Sequence, residues 1–140
     1  MEYIKLKGLH DEEARRAYDE GYYVEAIQIM HGWIENQAQS FLTLVGSVYF
    51  KAEMKNTWDK TDTLSLNQIL KVLFILNQIT ESEFDKFNKL NSVRNKIIHQ
   101  LYKDPYDKEY MGVPKTEYDE VFQDMLDGMN FFTRKCESLV

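Results

Sequence analysis

Residues 22–50 read "YYVEAIQIMHGWIENQAQSFLTLVGSVYF". Apolar side chains recur at Ile27, Met30, Ile34, Phe41, Leu44 and Val48, in steps of three, four or seven. That spacing lines one face of an α-helix. Gly32 and Gly46 weaken the helix locally without breaking it. A half-buried strand needs alternating apolar and polar positions, and no segment of the chain shows them. The stretch therefore predicts one long amphipathic helix and sets the class as all-α.

Working outward, "DEEARRAYDEG" (11–21) predicts a short first helix, with Asp11 as cap and Gly21 as terminator. Downstream, "KNTWDKTDT" (55–63) reads as the first clear loop. Ser65 and Gln68 then have capping-box spacing, flanked by Leu64 and Ile69 as a hydrophobic staple. They open a third helix, "LNQILKVLFILNQI" (66–79), which is apolar almost all round and is expected to be the central buried element. Thr80 and Glu83 form a second capping box with Ile79 and Phe84 as staple, opening a fourth helix, "ESEFDKFNKLNSVRNKIIHQLY" (81–102). So short a break favours antiparallel neighbours. "KDPYDKEYMGVPK" (103–115) holds both prolines and reads as the second loop. A fifth helix begins near Thr116, with Tyr118, Val121, Phe122, Met125, Met129, Phe132 and Cys136 on one face. The expected architecture is one domain over 1–140, an up-and-down helical bundle of about five helices with two long central ones.

Composition narrows the function. The chain has 140 residues, 44% hydrophobic and 14% aromatic, enough to build a core. A formal net charge of −6 argues against a broad nucleic-acid-binding surface, though not against a small basic site. The single cysteine, Cys136, excludes an intrachain disulfide framework. The N-terminal residues lack a signal-peptide core and no run is long enough for a membrane span, so a cytoplasmic location is expected. His10, His31 and His99 are scattered and give no metal motif. No phosphate-cradling glycine loop or Gly-x-Ser-x-Gly elbow is present, and no cofactor is expected. His31 reads as a packed or interface histidine, His10 as exposed, and Trp33 and Trp58 as core and loop anchor.

The fourth helix carries the one unusual pattern. Phe84, Phe87, Leu90, Arg94, Ile97 and Leu101 follow core spacing. Asn88, Asn91, Ser92, Asn95, His99 and Tyr102 form a second stripe. Exposed helix faces favour Lys, Glu and Arg, whereas Asn, Ser, His and Tyr are weaker helix formers suited to short hydrogen bonds. Such a face suggests contact with another subunit or a ligand, against the plainer reading of a solvated face. Arg94 and His99 stand about 140° apart around the helix, with the arginine at the border between stripe and core.

The motif "RNKIIH" (Arg94 to His99), in a helical domain of this length, resembles the HEPN family. The segment "AYDEGYYVEAIQIMHGWIE" (17–35) is similar to the opening helices of HEPN domains. The resemblance covers nearly the whole chain. Many HEPN proteins are metal-independent endoribonucleases, several of them toxins or defence effectors, and they typically dimerise so that motif helices face each other across a cleft. The resemblance implies a homodimer acting on RNA, with Arg94 and His99 as the active pair and Asn95 as the polar residue that often follows the arginine. Some toxin members continue His-x-Tyr, the tyrosine being modified by a nucleotidyltransferase antitoxin. Here His99-Gln-Leu-Tyr102 is one residue longer. Other HEPN domains are non-catalytic nucleotide- or protein-binding modules, which is the alternative reading.

The residue types suit RNA cleavage. The 2′-hydroxyl attacks the adjacent phosphate, so the site must remove a proton, supply one to the leaving 5′-oxygen and neutralise phosphoryl charge. Histidine, with an unperturbed pKa of about 6.5, suits the proton work. Arginine offers a permanently charged planar fork. Asn95 is placed to orient the histidine or a phosphoryl oxygen. A symmetric dimer would supply two histidines, and the expected product ends are 2′,3′-cyclic phosphates. Lys86, Lys89, Arg94, Lys96 and Lys103 outnumber Glu81, Glu83, Asp85 and Asp104 around the motif. Lys96, Tyr102 and Lys103 are the candidate substrate contacts. Tyr102, Tyr106 and Tyr110 can stack bases or anchor the loop.

Overall fold

The computed structural model describes residues 1–5, 7–101 and 113–139, the side chain of Leu101 excepted. Among them are seven helices and no strand: α1 (His10–Asp19), α2 (Tyr23–Phe50), α3 (Met54–Thr61), α4 (Leu66–Ile75), α5 (Glu81–Leu101), α6 (Lys115–Gly128) and α7 (Phe131–Ser138). The fold is an all-α bundle, as the periodicity predicts.

The two extra helices have local causes. Segment 55–63 is mostly helix rather than loop. Glu53 caps α3, its carboxylate accepting from the backbone N–H groups of Lys55 (3.2 Å) and Asn56 (2.7 Å). The carboxylate meets orphan N–H groups at the helix start and suits the dipole there, so Glu53 serves in place of the more familiar Ser or Asp. The expected fifth helix is two. At the break, the Met129 carbonyl accepts from Trp33 Nε1 at 3.0 Å, so an α2 side chain takes an oxygen that a continuous helix would use.

Helix α2, 28 residues long, touches every other helix. The central element is thus α2 and not the apolar segment 66–79, in which Phe74 and Ile75 are exposed. The core line of α2 runs Ile27, Met30, Ile34, Ala38, Phe41 and Val45, all buried, while Leu44 is half-buried and Val48 is exposed. Helix α1 runs antiparallel to α2, with Tyr18 against Tyr23 and His10 stacked on Trp33 at a ring separation of 3.7 Å. His10 is therefore half-buried, not free in solvent. Helix α6 runs parallel to α2, with Tyr118 near Tyr23 and Met129 at its end bonded to Trp33, and α7 packs on α2 through Thr133, bonded to Gln37. Helix α5 is antiparallel to α2, pairing Asn91 with His31 and Arg94 with Gln28.

The caps decide where helices stop. Leu9, not Asp11, is the α1 N-cap, and Asp11 lies in the first turn, where its charge suits the helix dipole. Gly21, at φ +89°, ends α1: its N–H bonds to the Tyr18 carbonyl and that of Tyr22 to Ala17. This is a Schellman closure, which needs a left-handed residue. Asn77, at φ +58°, does the same for α4, with Asn77 N–H to Phe74 and Gln78 N–H to Leu73. That turn ends the helix at Ile75, four residues before the expected end at Ile79. Both predicted capping boxes are present: Ser65 with Gln68, and Thr80 with Glu83.

Aromatic packing closes the bundle. The Phe87 ring lies 4.9 Å from Phe132 and 5.1 Å from Phe131, and Phe41 meets Phe132 at 6.3 Å. Helix α6 comes close enough to α5 that a Cβ on Gly128 would lie 3.2 Å from Phe87 Cε1.

Candidate functional site: the α2–α5 seam

A line of polar residues runs along α2 one position beyond its core line, about 100° further round the helix. It comprises Gln28, His31, Glu35 and Gln39, and Thr43, four residues after Gln39, continues it. Each fastens α2 to a different backbone or side chain. His31 Nε2 meets Asn91 Oδ1 at 2.9 Å. Facing an acceptor oxygen, Nε2 carries the proton and donates. Glu35 accepts from Leu66 N–H at 3.0 Å, satisfying an orphan donor at the α4 start. Gln39 Nε2 donates to the carbonyls of Asp62 and Leu64, each at 3.1 Å. Thr43 and Thr61 share a 2.6 Å hydroxyl contact. His31, Gln39 and Thr43 are all buried, so these bonds form where an unmet polar group would be costly.

Burial pulls the His31 pKa below the ordinary histidine value. The nearby Arg94 charge pushes the same way, while the Asn91 bond and Glu35 oppose it. The imidazole is thus held neutral at pH 7.

The α5 motif lies beside this seam. Asn88 accepts from Asn67 Nδ2 at 2.7 Å, and Asn91 faces His31. Both belong to the polar stripe of α5, and both join α5 to its neighbours rather than facing solvent. Arg94 is half-buried: its Nε donates to Gln28 Oε1 at 3.1 Å and its Nη1 to Asn95 Oδ1 at 2.8 Å. Asn95 therefore orients the arginine within this chain. His99 is exposed, as are Ser92 and Asn95. Among the described residues His99 has no hydrogen-bond partner in this chain, and no hydrogen bond joins it to Arg94.

Lys96 lies on the side of α5 opposite Arg94. Its Nζ pairs with Glu117 Oε1 at 3.3 Å across a groove of about 210 Å³ between α5 and α6. Leu90, Val93 and Val121 help to line that groove. Lys96 is thus joined to α6, while sharing with His99, three residues on, one side of α5. Tyr102 and Lys103, with Tyr106 and Tyr110, lie outside the described residues.

A second polar cluster joins α1 to α6. Tyr18 Oη donates to Asp119, and Lys115 Nζ pairs with both Asp119 oxygens at 2.9 and 3.0 Å. The Tyr18 bond, then Lys115, hold the Asp119 carboxyl below its usual range. Burial, reinforced by Asp119, raises the Tyr18 phenol. Among the described residues no three His, Cys, Asp or Glu side chains gather closely enough to hold a metal, and no helix is long and apolar enough to cross a membrane.

Sequence reasoning placed Arg94, Asn95 and His99 on α5 but missed Gln28 as the arginine's partner. The signal existed: Gln28, His31, Glu35 and Gln39 are spaced by three and four, the rule that singled out the α5 stripe. No protein-family model matches the chain, and no curated protein or solved structure is detectably similar to it.

Proposed function

We propose that the protein is a metal-independent endoribonuclease of HEPN type, the toxin of a toxin–antitoxin or defence system, whose active cleft forms between two copies of the chain. One observation carries the reading. On a single stretch of α5, a half-buried arginine is held by two hydrogen bonds while a histidine one and a half turns on is exposed. A fixed cation and an exposed acid–base group are the two kinds of side chain that phosphoryl transfer by the substrate's own 2′-hydroxyl requires, and at about 140° apart on one helix they would meet at a phosphate only across a pair of chains. A single chain offers one such histidine. A two-fold pairing of α5 faces supplies a second.

In this reading His99 of one subunit takes the 2′-hydroxyl proton as the P–O2′ bond forms. The protonated His99 of the other subunit gives a proton to O5′ as the P–O5′ bond breaks. Arg94 neutralises the phosphoryl oxygens. The products end in a 2′,3′-cyclic phosphate and a 5′-hydroxyl. A location in the cytoplasm and an antitoxin partner of nucleotidyltransferase type belong to the same proposal.

The test is cleavage of RNA by the purified protein at low salt with EDTA present. Arg94→Ala and His99→Ala should each abolish cleavage while leaving the circular dichroism spectrum and the oligomeric state unchanged. Products with 3′-hydroxyl ends, or activity lost to EDTA, refute the mechanism.

A second reading, a non-catalytic nucleotide- or protein-binding module, is favoured by a separate observation. Two donor positions of the Arg94 guanidinium are already engaged within the chain, and Lys96 is engaged by Glu117, in a protein of net charge −6. Intact RNA after prolonged incubation, with nucleotide or partner binding lost in Arg94→Ala, selects it.

A further inference from the structure

We infer that Gln28 of α2 is a positioning residue for Arg94, setting the orientation in which the guanidinium meets a phosphate; the inference rests on the ribonuclease reading above. The argument begins with what the other members of the α2 polar line do. His31, Gln39 and Thr43 are buried, and Glu35 is half-buried. Their bonds fasten α2 to α5, the α3–α4 connection, α3 and the start of α4. Gln28 differs, being exposed with its partner on α5 half-buried.

The register of α2 against α5 does not need this bond. His31 and Asn91 already fix it one turn away, three residues along each helix from the Gln28–Arg94 pair. What the Gln28 bond adds is control of the guanidinium. Arginine has five N–H donors in one rigid plane. Gln28 takes the Nε donor and Asn95 takes one on Nη1. With two points of the plane fixed, its rotation is fixed too. Three donors remain, both Nη2 hydrogens among them. The side-on approach that uses Nε is closed, so a phosphate must pair with the terminal Nη edge. Because the plane is already set, less rotamer freedom is lost when the phosphate arrives.

The experiment compares wild type, Gln28→Met and Gln28→Glu. Methionine keeps length and shape but has no oxygen acceptor, and glutamate keeps the acceptor. The chain holds four arginines, so the Arg94 Nε–H resonance is assignable by ¹⁵N NMR using Arg94→Ala. The expected result is slow exchange of the Arg94 Nε–H in wild type and Gln28→Glu, and exchange about tenfold faster in Gln28→Met, a hydrogen bond being worth about one factor of ten. In RNA cleavage, Gln28→Met should lose about tenfold in kcat with KM changed less than about twofold, since misplacement of a fixed group acts on the transition state. The melting temperature should fall by no more than about 6 °C, the loss expected for one such bond.

Gln28→Met that exchanges like wild type, or that cleaves like wild type while Arg94→Ala is dead, overturns this inference alone. A loss of activity matched by a large fall in melting temperature also overturns it, since the residue would then be structural. A wild type that cleaves no RNA overturns the ribonuclease reading and this inference with it, whatever the exchange rates.

Discussion

Replacing His31 with leucine removes the buried donor that joins α2 to α5 while keeping most of the side-chain volume. The Asn91 oxygen, half-buried and 2.9 Å from Nε2, then lacks its donor. An unmet acceptor in such a place costs about 1–2 kcal/mol. For a domain of this size that is a fall of about 3–8 °C in melting temperature. Asn91→Leu strands the imidazole N–H instead and should cost a similar amount. The double variant leaves no unmet polar group, so it should be more stable than the two single losses predict by about 1 kcal/mol or more. Urea denaturation of all four proteins measures the difference. Additivity within about 0.3 kcal/mol would show that the two side chains do not interact.

The same residue sets a pH dependence. Because burial lowers the folded-state pKa of His31, the unfolded chain binds a proton that the folded chain refuses. Below the unfolded value of about 6.5, stability therefore falls as pH falls, with a slope of at most about 1.4 kcal/mol per pH unit, and levels off beneath the folded value. Above about 6.5 the contribution is fully present. His31→Leu should remove this share of the slope between pH 7 and 5. His10, whose pKa burial also lowers, keeps its own share. An unchanged slope in His31→Leu contradicts the assignment of a neutral buried ring.

Two further outcomes are expected. Gly128→Ala should destabilise by about 1–2 kcal/mol in thermal or urea melts, because the new methyl would stand 3.2 Å from Phe87 Cε1, itself wedged against Phe131 and Phe132. Asn77→Ala should cost about 1 kcal/mol, since alanine tolerates φ +58° poorly, whereas Asn77→Gly should melt at or near the wild-type temperature.

The helix starts were legible where the cap and its reciprocal partner both appear in sequence, as with Ser65 and Gln68 or Thr80 and Glu83. The start of α3 was not, because a glutamate cap is chemically sound but unremarkable in a charge-rich segment. The end of α4 was hidden for another reason. Asn77 signals a left-handed turn only if the chain must reverse there, and the apolar run up to Leu76, with Ile79 at helical spacing beyond it, argued for continuation. The place of α4 in the bundle was misjudged because apolarity all round does not say how many neighbours a helix will have. Ten residues long, it cannot cover as much of the molecule as α2. On α5, spacing located Arg94, Asn95 and His99 but could not separate the stripe residues that bond inward, Asn88 and Asn91, from those left outside. Only the position of α4 and α2 decides that.

Because α2 lends a side to all six other helices, the protein has no seam along which it could be divided. Shortening the polypeptide before Lys115 would strip Phe132 from Phe41 and Met129 from Trp33, baring the middle of the axis on which everything else is hung. During synthesis α1 and α3 can clasp that axis early, being its neighbours along the chain. Its remaining flank must wait for the last two helices to emerge, and until then it is the surface most in need of shelter.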